Sequence, residues 1–359
     1  MNAKISLIKK ITPFNPENVK TVEEALVALQ NCSFQGRNLG KALEVLSNMA
    51  FDSSCYRVLT LSGAMIPAGM EEIINKLIER GVISAIVTTG ANIIHSIVNS
   101  AEPYDNQAHY IPSDKIDDKK LLEQRLNRIY DTLLPESGYQ RADDLILSIL
   151  RERFKNKKKI IISPSQLFEI IGNALLTRSF LKIAAIYQVP VFCGATSDSE
   201  LALNLARYRK RHGLTIILDE IADIEQYGNI MKEHISIQGN SAGTIIIGGG
   251  VPRNWAQQIF PYLYDIMDVD PNTNENINGF KYSVRFHTAV PHDGGLSGCT
   301  VSESISWGKY SANSTHQSVW GDATVYFPLI ATALLQRMGK ENISSMPDLL
   351  PTLKTIQRE

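Results

Sequence analysis

Lys309 closes the run Glu303-Ser-Ile-Ser-Trp-Gly-Lys309, which sets an amine directly after Trp307-Gly308 with a carboxylate six residues upstream. A lysine attacks carbon only as the free amine, and apolar, water-poor surroundings lower its pKa toward that form. An aromatic wall beside the amine would supply such surroundings. Lys309 is therefore a candidate for imine chemistry, with Glu303 as a group to hold an ammonium or move a proton. A surface lysine at a helix end would read the same way. Gly321-Asp322-Ala323 follows, leading into a long apolar helix, where Asp322 is either a ligand contact or an N-cap.

A second set of residues recurs where short apolar runs stop. Ser62-Gly63-Ala64-Met65 follows 58–61, and Thr88-Thr89-Gly90-Ala91-Asn92 follows 83–87. Gly194-Ala195-Thr196-Ser197-Asp198 comes after 189–192 and Cys193, and Gly248-Gly249-Gly250-Val251-Pro252 after 244–247. Glycine lets backbone approach a ligand, and free N–H groups at a following helix start attract phosphate. One such loop is ordinary turn chemistry. Four at equivalent places point to a nucleotide-type cofactor, although G-x-G-x-x-G and the P-loop are both absent.

The elements that must position these loops are strands at 58–61, 83–87, 189–192, 215–218, 244–247 and 282–286. Helical patterns alternate with them at 70–80, 121–134, 166–187, 200–211, 222–232 and 255–267. That order predicts an α/β fold: a Rossmann-like, mostly parallel sheet with helices on both faces and ligands at the strands' carboxyl ends. Residues 1–50, with amphipathic runs at 22–30 and 39–49, read as an N-terminal helical extension. A single catalytic domain is expected at 51–345 and a tail at 346–359.

Across 359 residues the formal net charge is -1, so nothing suggests nucleic acid as a partner. The four cysteines lack Cys-x-x-Cys spacing, which argues against a disulfide framework or a metal site. No apolar run approaches a membrane span, and a cytoplasmic protein is expected.

The motifs Ile86-Val-Thr-Thr-Gly-Ala-Asn92, Gly248-Gly-Gly-Val-Pro252, Asp293-Gly-Gly295, Ser306-Trp-Gly-Lys309, Gly321-Asp-Ala323 and Phe327-Pro-Leu329 resemble the deoxyhypusine synthase family, in order and over most of the chain. The resemblance implies an NAD-dependent transfer: spermidine is oxidised, diaminopropane leaves, and the butylimine is held by a lysine, passed to an acceptor amine and reduced. It implies Lys309 as that lysine, and Trp307 along the polyamine's methylenes. NAD contacts would fall on Ser62, Gly63, Ala64, Met65, Thr88, Thr89, Gly90, Asp198, Gly249, Thr288, Ala289, Asp293, Asp322 and Ala323. Substrate contacts would fall on Asn254, Gly294, Gly295, Leu296, Glu303 and Trp307. It also implies a homotetramer with active sites between subunits. Asp198 and Asp322 could instead cap helices, and Asp293 could be a turn residue.

The pattern departs from the protein-modifying members at Leu203 and Leu296, where those carry acidic residues, and at Asn254, where they carry histidine. Ile94-His95 replaces a glutamate pair. A buried ammonium without a counter-charge costs several kcal/mol, so these changes bear on the amine substrate. His95 is either an acid/base group or a structural histidine. The variant pattern resembles the bacterial deoxyhypusine-synthase-like branch, for which a small diamine acceptor and a homospermidine-type product are expected. A translation-factor lysine as acceptor, and a catalytically silent NAD- or polyamine-binding homologue, are the alternatives.

Overall fold

The computed structural model describes residues 10–101, 108–155, 157–270 and 278–340; the tail expected at 346–359 lies outside them. Six strands carry the loops of interest: β1 (Cys55–Leu61), β2 (Ala85–Thr88), β3 (Val191–Cys193), β4 (Ser241–Ile247), β5 (Phe280–His287) and β6 (Tyr310–Trp320). They form one sheet in the order β6-β5-β4-β1-β2-β3, with every neighbouring pair parallel. A sheet buried on both sides needs apolar residues on both faces. In β1, Tyr56 and Val58 enter one core while Cys55, Leu59 and Leu61 enter the other.

Helices Glu220–Ile235, Gly250–Gln257 and Ile259–Met267 cover the first face; Phe34–Phe51, Gly90–Ala101 and Ala323–Lys340 cover the second. The α/β architecture expected from the sequence is the one observed. Register then fixes the site. Leu61 lies opposite Thr88 and Ile247, Thr88 opposite Cys193, and Ile247 opposite Phe286. The strand-end loops therefore emerge along a single edge. From the N-terminal segment, Leu26, Leu39, Leu43 and Met49 share a core with β1 and with Phe327.

Several elements differ from expectation for identifiable reasons. Residues 121–134 are not a helix: Asp118–Glu123 is helical, and Leu126–Ile129 then pairs antiparallel with Thr132–Pro135. Arg125 and Tyr130, at φ 56° and 52°, take left-handed backbone that a helix cannot contain. The expected helix at 166–187 is two, Pro164–Ala174 and Phe180–Ile186, with Leu175 extended between them at ψ 140°. That at 255–267 begins earlier and divides at Gln258, because Pro261 has no N–H for the Gln257 carbonyl. Strand Thr215–Leu218 pairs with Lys159–Ile162 in a separate two-stranded sheet. β6 was absent from the apolar runs because an edge strand with exposed polar positions carries no such signal. No helix among the described residues is long and apolar enough to cross a membrane.

Candidate active site

The carboxyl edge holds a cavity of about 310 Å³ lined by Ser62, Thr88, Thr89, Gly90, Asp198 and Gly249, together with Cys193, Ala195, Gly250, Val251, Pro252 and Ser297. Helices Gly90–Ala101 and Gly250–Gln257 both begin at it, so their positive ends and free N–H groups face the space. Close packing builds its wall: a Cβ on Gly90 would stand 2.3 Å from Ser199 Cβ, and one on Gly194 2.8 Å from the Trp255 ring. Trp255 in turn stacks on Phe192 and Tyr227, at 5.3 and 5.4 Å between ring centroids.

Asn92 ties the first two loops together. Its Nδ2 donates to Gly63 O at 3.1 Å and Thr88 Oγ1 at 3.2 Å, and its Oδ1 accepts from Ile66 N at 3.2 Å. The Gly-Ala-Asn motif contains this latch, but the letters alone do not reveal it. Asp198 is exposed, and its carboxylate has no hydrogen-bond partner among the described residues; Ser199, not Asp198, caps the following helix by accepting from Ala202 N.

Lys309 immediately precedes β6, so it stands toward the opposite edge of the sheet from the cavity. The bridge is helix Gly250–Gln257, which starts at the cavity and carries Asn254 about 6 Å further along its axis. Asn254 Oδ1 accepts from Lys309 Nζ at 2.8 Å, and Nζ lies 5.9 Å from the centre of the Trp307 ring. The glycine of Trp-Gly-Lys is required twice: Gly308 has φ +67°, and a Cβ there would stand 2.7 Å from the Tyr264 ring. Tyr264 Oη donates to Gly308 O at 2.9 Å. Below, Gln257 Nε2 donates to the buried Tyr310 hydroxyl at 2.7 Å, so residues 254 and 257 of one helix face meet Lys309 and the first residue of β6.

Burial lowers the pKa of Lys309; Cys299 opposes the shift, Arg253 adds to it, and Glu303 opposes it. Glu303 lies on the short helix Val301–Ile305, capped by Thr300, and its side chain is exposed. Trp307 is 68% exposed and Leu296 63%, the latter at φ 59°, a left-handed backbone that leucine rarely takes. Leu203 is 55% exposed.

Other expected residues lie elsewhere. Met65 is buried in the core, while Gly63 offers its carbonyl to Thr89 and Asn92. Thr288, Gly294 and Gly295 are exposed, and Ala289 O meets His287 Nδ1 at 3.1 Å. Asp293 accepts from Gly295 N at 3.1 Å, as a turn aspartate does, and Asp322 from Thr324 N at 2.7 Å, as a cap does ahead of Ala323. His95 does not line the cavity. Its buried ring meets Tyr139 at 5.7 Å, its Nδ1 has no partner among the described residues, and burial pushes its pKa down to about 4.

A family model described as deoxyhypusine synthase matches residues 24–334. A "Probable deoxyhypusine synthase 2" of Methanosarcina mazei is 34% identical over 91% of this chain and 90% of its own length. A "Deoxyhypusine synthase-like protein" of Chlorobaculum tepidum is 30% identical, over 93% and 92%. The crystal structure of a "putative deoxyhypusine synthase" from Entamoeba histolytica superposes with a TM-score of 0.61 at 16% identity, covering 94% of this chain and 99% of that one, a likeness of fold. With the motif order, the strand-end cavity and these matches in agreement, this chain belongs to the deoxyhypusine synthase family, transferases of aminobutyl groups.

Proposed function

We propose that this protein is an NAD-dependent aminobutyltransferase in which Lys309 carries the butyl group as an imine and a small diamine accepts it. The observation that carries this reading is Lys309 Nζ on Asn254 Oδ1, half-buried beside the Trp307 ring, on the helix that starts at the cavity. The lining fits a dinucleotide: two helix N-termini suit phosphates, and the Asp198 carboxylate, without a partner among the described residues, suits a ribose hydroxyl. When bound, NAD supplies hydride acceptance and return.

The chain's own groups do the rest. Burial shifts Lys309 toward the free amine, whose lone pair adds to the carbon of the butylimine as diaminopropane leaves. Asn254 accepts an N–H from Nζ and so directs that lone pair away from the helix. Trp307 offers an apolar and cation-attracting face to methylenes and ammonium, and Glu303 a carboxylate. An acceptor amine then displaces Lys309. Exposed Trp307 and Leu296 support a homo-oligomer, a tetramer by the family's habit, in which a second copy excludes water from the amine. That archaeal relatives are named as probable deoxyhypusine synthases favours a second reading, with a translation-factor lysine as acceptor.

Incubation with NAD, labelled spermidine and borohydride should leave an aminobutyl adduct on Lys309, absent in Lys309→Arg. With putrescine added and borohydride omitted, mass spectrometry should find homospermidine. Labelling of a translation factor without homospermidine would move the assignment to the second reading, and no adduct at all would sink both.

A further inference from the structure

Two buried arginines connect the cavity to Lys309, and their hydrogen-bond partners among the described residues are all backbone carbonyls. Arg253 donates from Nη1 to Cys299 O at 2.9 Å and from Nη2 to Leu296 O at 3.2 Å; its buried Nε has no partner. Arg285 donates from Nε to Gly248 O at 3.1 Å, from Nη1 to the same Cys299 O at 2.8 Å, and from Nη2 to Ser297 O. One carbonyl thus serves two guanidinium groups, and no carboxylate among the described residues pairs with either. Burying cations this way is costly, and it makes any further positive charge nearby costlier still. The residue after Arg253 is Asn254, whose side chain holds the Lys309 amine.

We propose that Arg253 is a positioning residue for the lysine reaction: its two-pronged guanidinium fixes the loop from Leu296 to Cys299 beside the Asn254 that holds the amine, and its buried charge works against a second positive charge on Lys309. The proposal rests on Lys309 acting as the nucleophile. Three charged or titratable groups face that amine: Arg253 from helix Gly250–Gln257, Cys299 from the loop, and Glu303 from helix Val301–Ile305. Glu303 is exposed, so solvent screens it, whereas Arg253 is 7% exposed and screened far less. Arg253 acts on Lys309 in the direction that burial already sets, while Cys299 and Glu303 act against it.

Competitive acetylation of Lys309 in the full chain, followed by mass spectrometry across pH, reads this without substrate or cofactor. Arg253→Met, or Arg253→Gln should the first not fold, should raise the labelling midpoint and slow labelling below it roughly three- to tenfold. Arg253→Lys keeps the charge and loses the fork, so its midpoint should stay while the KM for the amine rises. An unmoved midpoint in the charge-free variants, or an equal rise in Arg253→Lys, would overturn the proposal. Borohydride trapping stands apart. A moved midpoint without any adduct keeps Arg253 as the group that tunes the amine and removes Lys309 as imine former, and an adduct with an unmoved midpoint does the reverse.

Discussion

Along the carboxyl edge of the sheet the residues behind the cavity are locked in place, with Thr88 1% and Asn92 0% exposed, whereas beside Lys309 Trp307 is 68% exposed. The first region satisfies its hydrogen bonds and packing within one chain. The second presents an amine, an indole and a carboxylate on an open surface and holds only the amine, through Asn254. Catalysis by a free amine needs water kept away. The cofactor half of the proposed site is therefore preformed, while the amine half depends on something that closes over it, the second subunit or the polyamine itself. Substitutions should separate the halves: on the locked side they should cost stability, and on the open side substrate affinity.

The largest effect is expected at Gly90. A methyl there would stand 2.3 Å from Ser199 Cβ and 3.3 Å from Asp198 O, so helix Glu200–His212 must shift. Gly90→Ala should lower unfolding free energy by about 3 kcal/mol and weaken NAD binding with it. Denaturant titration with and without NAD checks both, and an unchanged midpoint would show that the wall is softer than its packing indicates.

His95 comes next, on the same side. Its folded pKa of about 4 lies below the ordinary histidine value, so the unfolded chain binds the proton more tightly and stability falls as pH drops. Its contribution is fully present above about pH 6.5 and should fall by about 2 kcal/mol by about pH 5. His95→Phe removes that proton, so the wild type should lose about 2 kcal/mol more than the variant between those pH values. Equal losses would mean that His95 titrates normally and is reachable by solvent.

How much of this was legible in the residues differs between the halves as well. Parallel strands with apolar runs announce themselves, and the loops after 58–61 and 244–247 are where the cavity forms. Ser62, Thr88, Thr89, Gly90, Asp198 and Gly249 line it because register brings four small-residue loops to one edge, a repetition that the residues show even though any single loop is ordinary turn chemistry. Edge strand β6 and the pair Leu126–Ile129 with Thr132–Pro135 were not legible: exposed positions blur the alternation, and a left-handed Tyr130 leaves no apolar trace. The Trp-Gly-Lys run marks Lys309 as a candidate, yet its placement just before β6 was not legible, since that required knowing that helix Gly250–Gln257 spans the gap. Asp293 and Asp322 satisfy neighbouring N–H groups, a local use that spacing cannot distinguish from ligand binding.

A smaller effect is expected where the cavity itself opens to solvent. Asp198 is exposed, lines the cavity and caps nothing, so Asp198→Asn should leave thermal stability unchanged and weaken NAD binding about tenfold, with kcat little altered. Isothermal titration with NAD measures it. A stability loss would instead make Asp198 part of the locked wall.

The smallest stability change belongs to the open side. Trp307→Ala removes an indole that makes little contact within its own chain, so unfolding free energy of the monomer should change by less than about 0.5 kcal/mol. The same variant removes the face beside Lys309 Nζ, and the KM for the amine should rise several-fold while the NAD affinity stays. If a second copy closes the site, the change should also weaken assembly, and sedimentation at falling concentration would show dissociation earlier than in the wild type. A Trp307→Ala protein that assembles normally but binds amine poorly would assign the indole to the substrate alone. One that binds amine normally would leave Asn254 as the main fixed contact of the lysine, and the open side would then owe its reactivity to burial and to Arg253 rather than to the aromatic wall.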